Sequence, residues 1–188
     1  PDDPRADEGI TSCELSKEWM ENPTRYEVTK MFYFNTRESE FSPNYAKDDY
    51  SLIYFTSSRE SATGNKINDV TGEHYTDIFQ SRKDRKGKWS EPIPLDEKIN
   101  SEFDEGVSCL NPKKNTLYFT SFRENKEGKL GCHIYFSQKQ GVTWSEPQII
   151  PLAADSITVG HPAISNDELT LYFSANMKGT VGGKDLWK

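Results

Sequence analysis

Two arginines, Arg59 and Arg123, stand in nearly identical surroundings, SSRE and SFRE. Each is followed by a short aromatic stretch that opens on a polar, titratable side chain, Asp77 in TDIFQS and His133 in CHIYFS. A guanidinium presents a rigid fork of donors that grips a carboxylate in two places, so such a residue can hold an anionic ligand or tie one strand to another. The third occurrence of the pattern separates these uses. LTLYFSANMK places Met177 where the arginine stood, while the following KDLWK keeps an acid, Asp185. A residue that recurs from repeat to repeat serves the repeat, so Arg59 is expected to pair structurally with Asp77 on the adjacent strand.

The remaining groups with chemical potential do not converge. His74, His133 and His161 lie in three different contexts with no HxxxH or HxH spacing, which gives no metal site. Asn68-Asp69-Val70-Thr71-Gly72-Glu73 has the flavour of a calcium loop but lacks its alternating oxygen ligands and terminal glutamate, and reads as a solvated insertion. There is no GxSxG, no phosphate-binding loop and no dinucleotide fingerprint, and nothing local marks a nucleophile. No catalytic residue, cofactor or metal is therefore assigned, and the residues of any ligand site are unknown. Cys13, Cys109 and Cys132 form no CxxC pair, and an odd number cannot all pair within one chain, so they read as free thiols.

One motif does carry a chemical suggestion. SQKQGVTWSEP, from Ser137 to Pro147, places Ser137, Gly141, Thr143 and Trp144 in the register of the sialidase Asp box, with Lys139 at the aspartate position, and SRKDRKGKWSEP (Ser81 to Pro92) nearly repeats it. Sialidases grip the substrate carboxylate with an arginine cluster and attack with a carboxylate-activated tyrosine, and no such set falls at repeat positions in this chain. The likeness is mostly hairpin chemistry: a residue tolerant of positive φ at the turn and a large ring at a sheet edge. A glycosidase or carbohydrate-binding domain remains the alternative function.

These segments belong to an internal repeat. SLIYFTSSRE, NTLYFTSFRE and LTLYFSANMK are versions of one strand, marked by Phe55, Phe119 and Phe173 at spacings of 64 and 54. The extra residues fall in the polar loop between Ala62 and His74. Crowded Tyr, Phe, Ile, Thr and Trp bounded by Gly, Pro, Asn and Asp read as short strands, and repeats of this length built from them are propeller blades. The expected fold is thus all-β, a β-propeller with four-stranded antiparallel blades. A ring-closing outer strand is expected over 24–36, a first blade over 42–98, a second over 104–155 and a truncated third over 160–188. With about 54 residues per blade, a ring of five or six would need on the order of 270–320. The chain is accordingly expected to be a partial propeller, the rest being a continuation or a separate chain.

Residues 1–23 read as a linker with one short helix. Thr11-Ser12-Cys13-Glu14 is a capping box, which predicts a helix over about Ser12 to Met20 that stops at Asn22-Pro23. The 188 residues carry 23 Lys+Arg against 30 Asp+Glu, a formal charge of −7, which disfavours nucleic acid and anionic membrane surfaces as partners. No run approaches the roughly 18 apolar residues of a membrane-spanning helix. PDDPRADEG has no signal-peptide character, so the chain is either cytoplasmic or a trimmed piece of an exported protein.

The elements F-[TS]-S-x-R, G-x-D-[IL]-[YW] and W-S-x-P resemble TolB-like, WD-like propeller repeats of periplasmic proteins. In the order TSCELSKEW, NPTRYEV, SPNYAKDDYSLIYFTSSRESATGNKI, GKWSEPIPL, INSEFDEG, LGCHIYFS and ITVGHPAIS, the chain from Gly9 onward is similar to the PorE family of the type IX secretion system of Bacteroidetes. That resemblance implies a lipoprotein-type periplasmic component associated with the outer membrane, in which a propeller accompanies a peptidoglycan-binding OmpA-like domain that has no counterpart here. It implies a non-catalytic scaffold whose partners are other secretion subunits, with peptidoglycan reached only through that other domain.

Overall fold

A computed structural model describes residues 4–64, 66–69, 71–124 and 130–188. The chain divides into two units, residues 1–31 and residues 32–188. The first holds helix α1 (Pro4–Glu21), which starts earlier than the capping box suggests. Proline suits a first helical turn, Asp7 complements the positive end of the dipole, and Gly9 costs only about 1 kcal/mol, so nothing forces the start back to Thr11. Thr11 consequently lies inside the helix. The C-terminal end is closed by Asn22, whose backbone N–H and side-chain amide both donate to the Glu18 carbonyl, with Pro23 next.

The second unit is three antiparallel sheets. The first has the order β1 (Glu40–Tyr45), β2 (Leu52–Ser57), β3 (Asp77–Arg82), β4 (Ile93–Pro94). The second runs β5 (Glu105–Leu110), β6 (Thr116–Glu124), β7 (Leu130–Gln140), with β8 (Thr143–Trp144) and β9 (Gln148–Ile149) both pairing with β7. The third has β10 (Val159–Ile164), β11 (Leu171–Ala175) and β12 (Asp185–Trp187). The strand expected over 24–36 does not form: no residue of that run pairs with a strand among the described residues. Instead the backbone turns at 32–34 and Phe34 packs into the core, its ring 5.4 Å from Phe55 and 5.2 Å from Trp89.

Three apolar clusters follow one another along the sheets. Phe34, Phe55, Phe79 and Trp89 cover one face of the first sheet. Leu52, Tyr54 and Ile78 on its other face meet Leu117, Phe119 and Trp144 of the second. Ile134 on the far side of the second sheet meets Val159, Phe173 and Ala175 of the third. All six residues of β2 are buried because both faces of this strand are covered. Leu117, Phe119, Ile134 and Trp144 are all at most 2% exposed, as their places in the repeat require.

Each sheet's first strand carries the same bulge. Ser42, Val107 and His161 take φ of 54°, 43° and 58°, and the register slips beside each of them. The bulge turns the backbone N–H toward the preceding sheet: Val107 donates to Thr56 Oγ1 at 3.2 Å and His161 to Thr120 Oγ1 at 2.8 Å. Glycine precedes the bulge in both cases because a Cβ at Gly106 or Gly160 would stand 2.7 or 3.0 Å from the threonine methyl. Asn100 adds a second tie, accepting from Ile78 N–H and donating to the Ile78 and Leu95 carbonyls.

Gly106→Ala should therefore destabilise the protein by about 1–3 kcal/mol through overpacking. Thr56→Ser, which removes the methyl and keeps the acceptor, should recover most of that loss in the double variant. Urea unfolding of the four-member cycle measures both effects, and strict additivity would show that the two residues do not meet.

Candidate functional site

The arginines do not pair as their sequence neighbours suggest. Arg59 meets Glu40, not Asp77: its Nη2 lies 3.4 Å from Glu40 Oε1 and 2.6 Å from the Phe34 carbonyl, and its Nε donates to Ser57 Oγ. Arg123 repeats the arrangement with Glu105 at 3.5 Å, the Ile99 carbonyl at 2.5 Å and Ser121 Oγ at 2.9 Å. Each guanidinium lies over two rings, Phe55 and Phe79 or Phe119 and Tyr135. Each glutamate is also held by a hydroxyl and backbone N–H four residues earlier, from Thr36 or Ser101. Burial pushes the Glu105 carboxyl up to about 7, opposed by Ser121, Ser101 and Arg123. In the third sheet the register places Val159 opposite Ala175, where Glu105 faces Ser121, and Met177 follows at the arginine position. The whole charged cluster is replaced there by an apolar one.

Asp77 caps a loop: its Oδ2 accepts the Thr63 N–H at 2.5 Å, as Asp185 accepts that of Val181 at 2.7 Å. Its Oδ1 is buried without a hydrogen-bond partner among the described residues, and burial raises its pKa to about 6. His133 is 4% exposed, with Nε2 likewise unpartnered, and its ring folds over Gly131, where a Cβ would collide with it. The hairpin motif is also explained by packing. Ser137 Oγ donates to the Ser145 carbonyl as Ser81 does to Ser90, Gly141 takes φ 65°, and Lys139 lies over the Trp144 ring. Cys13, Cys109 and Cys132 are free, and no three His, Cys, Asp or Glu side chains among the described residues form a metal-holding group.

What the sequence leaves unmarked is a cavity of about 310 Å³ where the first and second sheets meet, beside the bulge of β5. Its walls include Phe41 and Phe122, with Glu73, His74, Asp104 and His161 supplying the polar groups. Glu73 and His74 come from the end of the loop that lengthens the first repeat, and a bridge between Ile67 and His74 pins that loop. Thr76 fixes Asp104, donating its N–H (2.8 Å) and hydroxyl (3.0 Å) to Oδ1. Ser58 Oγ and the Ser39 N–H donate to Glu73 Oε2, and these bonds hold its carboxyl below the usual range. His74 Nδ1 is buried with no partner among the described residues.

Several cavity residues differ from their counterparts in the other repeats. Strand register aligns Phe41 with Gly106 and Gly160, and His161 with Ser42 and Val107. One backbone bond recurs from Ser58 to Ser39, Phe122 to Asp104 and Asn176 to Thr158, which aligns the acid and the second phenyl ring with unlike residues in the other repeats. This is the signal by which sequence could reveal the site: where aligned repeats disagree, not where they agree. No family model matches the chain, and no curated protein and no solved structure matches it.

Two outcomes are expected. Arg123→Met alone should cost about 3 kcal/mol by stranding Glu105, whereas Glu105→Val/Ser121→Ala/Arg123→Met, the set used by the third sheet, should return to within about 1 kcal/mol of the parent in urea unfolding. Asp77 has a raised folded pKa, so its contribution is full below about pH 4 and is lost as pH rises through about 6. Relative to Asp77→Asn, the parent should lose on the order of 2–3 kcal/mol between pH 4 and 7.5, read from paired unfolding curves.

Proposed function

We propose that the three sheets are consecutive blades of a β-propeller, and that the protein is a non-catalytic scaffold of the type IX secretion machinery, working in the periplasm at the outer membrane. The observation that supports the propeller most directly is the recurrence of one inter-sheet tie, Thr56 to Val107 and Thr120 to His161, each behind a glycine. A repeated tie imposes a repeated relation between neighbours, which is how blades are added around an axis. The scaffold role rests on the ordered sequence resemblance and on where the recurrent charged residues are spent. Arg59, Arg123, Glu40 and Glu105 all hold one part of the chain to another. Other secretion subunits are the partners this implies, and attachment to peptidoglycan would be made by an OmpA-like domain.

Affinity capture of the tagged protein from a cross-linked Bacteroidetes cell expressing it should enrich type IX secretion subunits over an unrelated periplasmic bait. Failure to enrich any of them, or hydrolysis of fluorogenic glycosides above background, would replace the scaffold with the carbohydrate-directed alternative.

A further inference from the structure

We propose that the cavity between the first and second sheets is a binding site for an organic cation, an ammonium or guanidinium group carried on an alkyl stem. The site does not depend on the protein being a secretion scaffold. If that reading holds, it names the side chain by which a partner docks. Two carboxylates line the cavity, and no lysine or arginine is found among its described lining residues. Glu73 is kept charged by the hydrogen bonds it accepts from Ser58 and Ser39, while Asp104 spends only Oδ1 on Thr76. A site with this balance attracts a cation and rejects a phosphate or carboxylate. Phe41 and Phe122, 40% and 42% exposed, offer ring surface against which an alkyl stem loses water and a cationic head finds π density. The volume lies at the lower end of small-molecule sites, which suits one side chain or one small amine.

The independent argument is the pattern of departures from the repeat. At Asp104 the other repeats use serine or threonine, and at Phe122 serine or asparagine, so an acid and a phenyl ring enter the second repeat together. These two positions, one at the entry to β5 and one on β6, differ together and line one cavity. The long first-repeat loop closes on the same place, as insertions in repeat proteins gather on the binding face.

The test is calorimetric titration of the purified chain at low salt with agmatine, n-butylammonium and the neutral isostere butylurea, alongside the blocked peptide acetyl-Gly-Arg-Gly-amide. Agmatine or n-butylammonium should bind and butylurea should not. Glu73→Gln and Asp104→Asn should each weaken binding about tenfold, which is what loss of one charged hydrogen bond implies, and added salt should weaken it further. Phe122→Ser restores the residue of the first repeat at an exposed position. It tests the wall without threatening the fold, and should also weaken binding. Peptide binding at least as tight as agmatine assigns the cation to a partner protein's side chain, and agmatine binding without the peptide assigns it to a free amine. Equal binding of butylurea, or no binding by any cation, overturns the proposal. Capture of secretion subunits by the parent and loss of titratable binding would then separate failure of the site from failure of the scaffold.

Discussion

The rest of the structure depends on how closely one sheet's first strand approaches the sheet before it. Packed sheets ordinarily keep about 10 Å between them, the room needed by interdigitating side chains. At Gly106 and Gly160 that room is absent, and the backbone rests against a threonine side chain that accepts the bulged N–H. Two residues along β2 from Thr56 the contact is made by large groups, Tyr54 against Trp144 at 6.4 Å between ring centres. The positive φ at Val107 and His161 is the local cost of turning the donor outward, offset by the bond it gains.

The charged clusters show how loosely chemistry is tied to architecture at one position. Glu105, Ser121 and Arg123 fill the space that Val159, Ala175 and Met177 fill in the next sheet. Both solutions are self-consistent, because the buried acid has a guanidinium and hydroxyls, and the apolar set has nothing to satisfy. A mixed set would strand a charge, which is why the residues change together. Against this background, Phe41, Asp104, Phe122 and His161, which differ from their counterparts in the other repeats, all line one cavity.

Much of the fold was legible locally. The three versions of the LYF strand, the glycine hairpin at Gly141 and the buried Trp144 follow from β propensity and turn chemistry, and each lies where the pattern places it. The chain near Phe34 was legible in part. Thr36 and Ser101 each hold the glutamate four residues on, Glu40 or Glu105, while the strand expected over 24–36 does not form and Phe34 enters the core instead.

Outside the run over 24–36, sequence by itself determined which stretches extend, where they turn and that they repeat, because those depend on residues close together in the chain. Tertiary structure alone decided which acid meets Arg59, since Glu40 reaches it across a sheet whose pairing brings β1 beside β2, while Asp77 on β3 turns to the loop at Thr63. It also decided that Phe41, Glu73, Asp104, Phe122 and His161, spread over three repeats, share one cavity. Their meeting is fixed by the spacing and tilt of packed sheets, a property of the contacts between elements that no local pattern encodes.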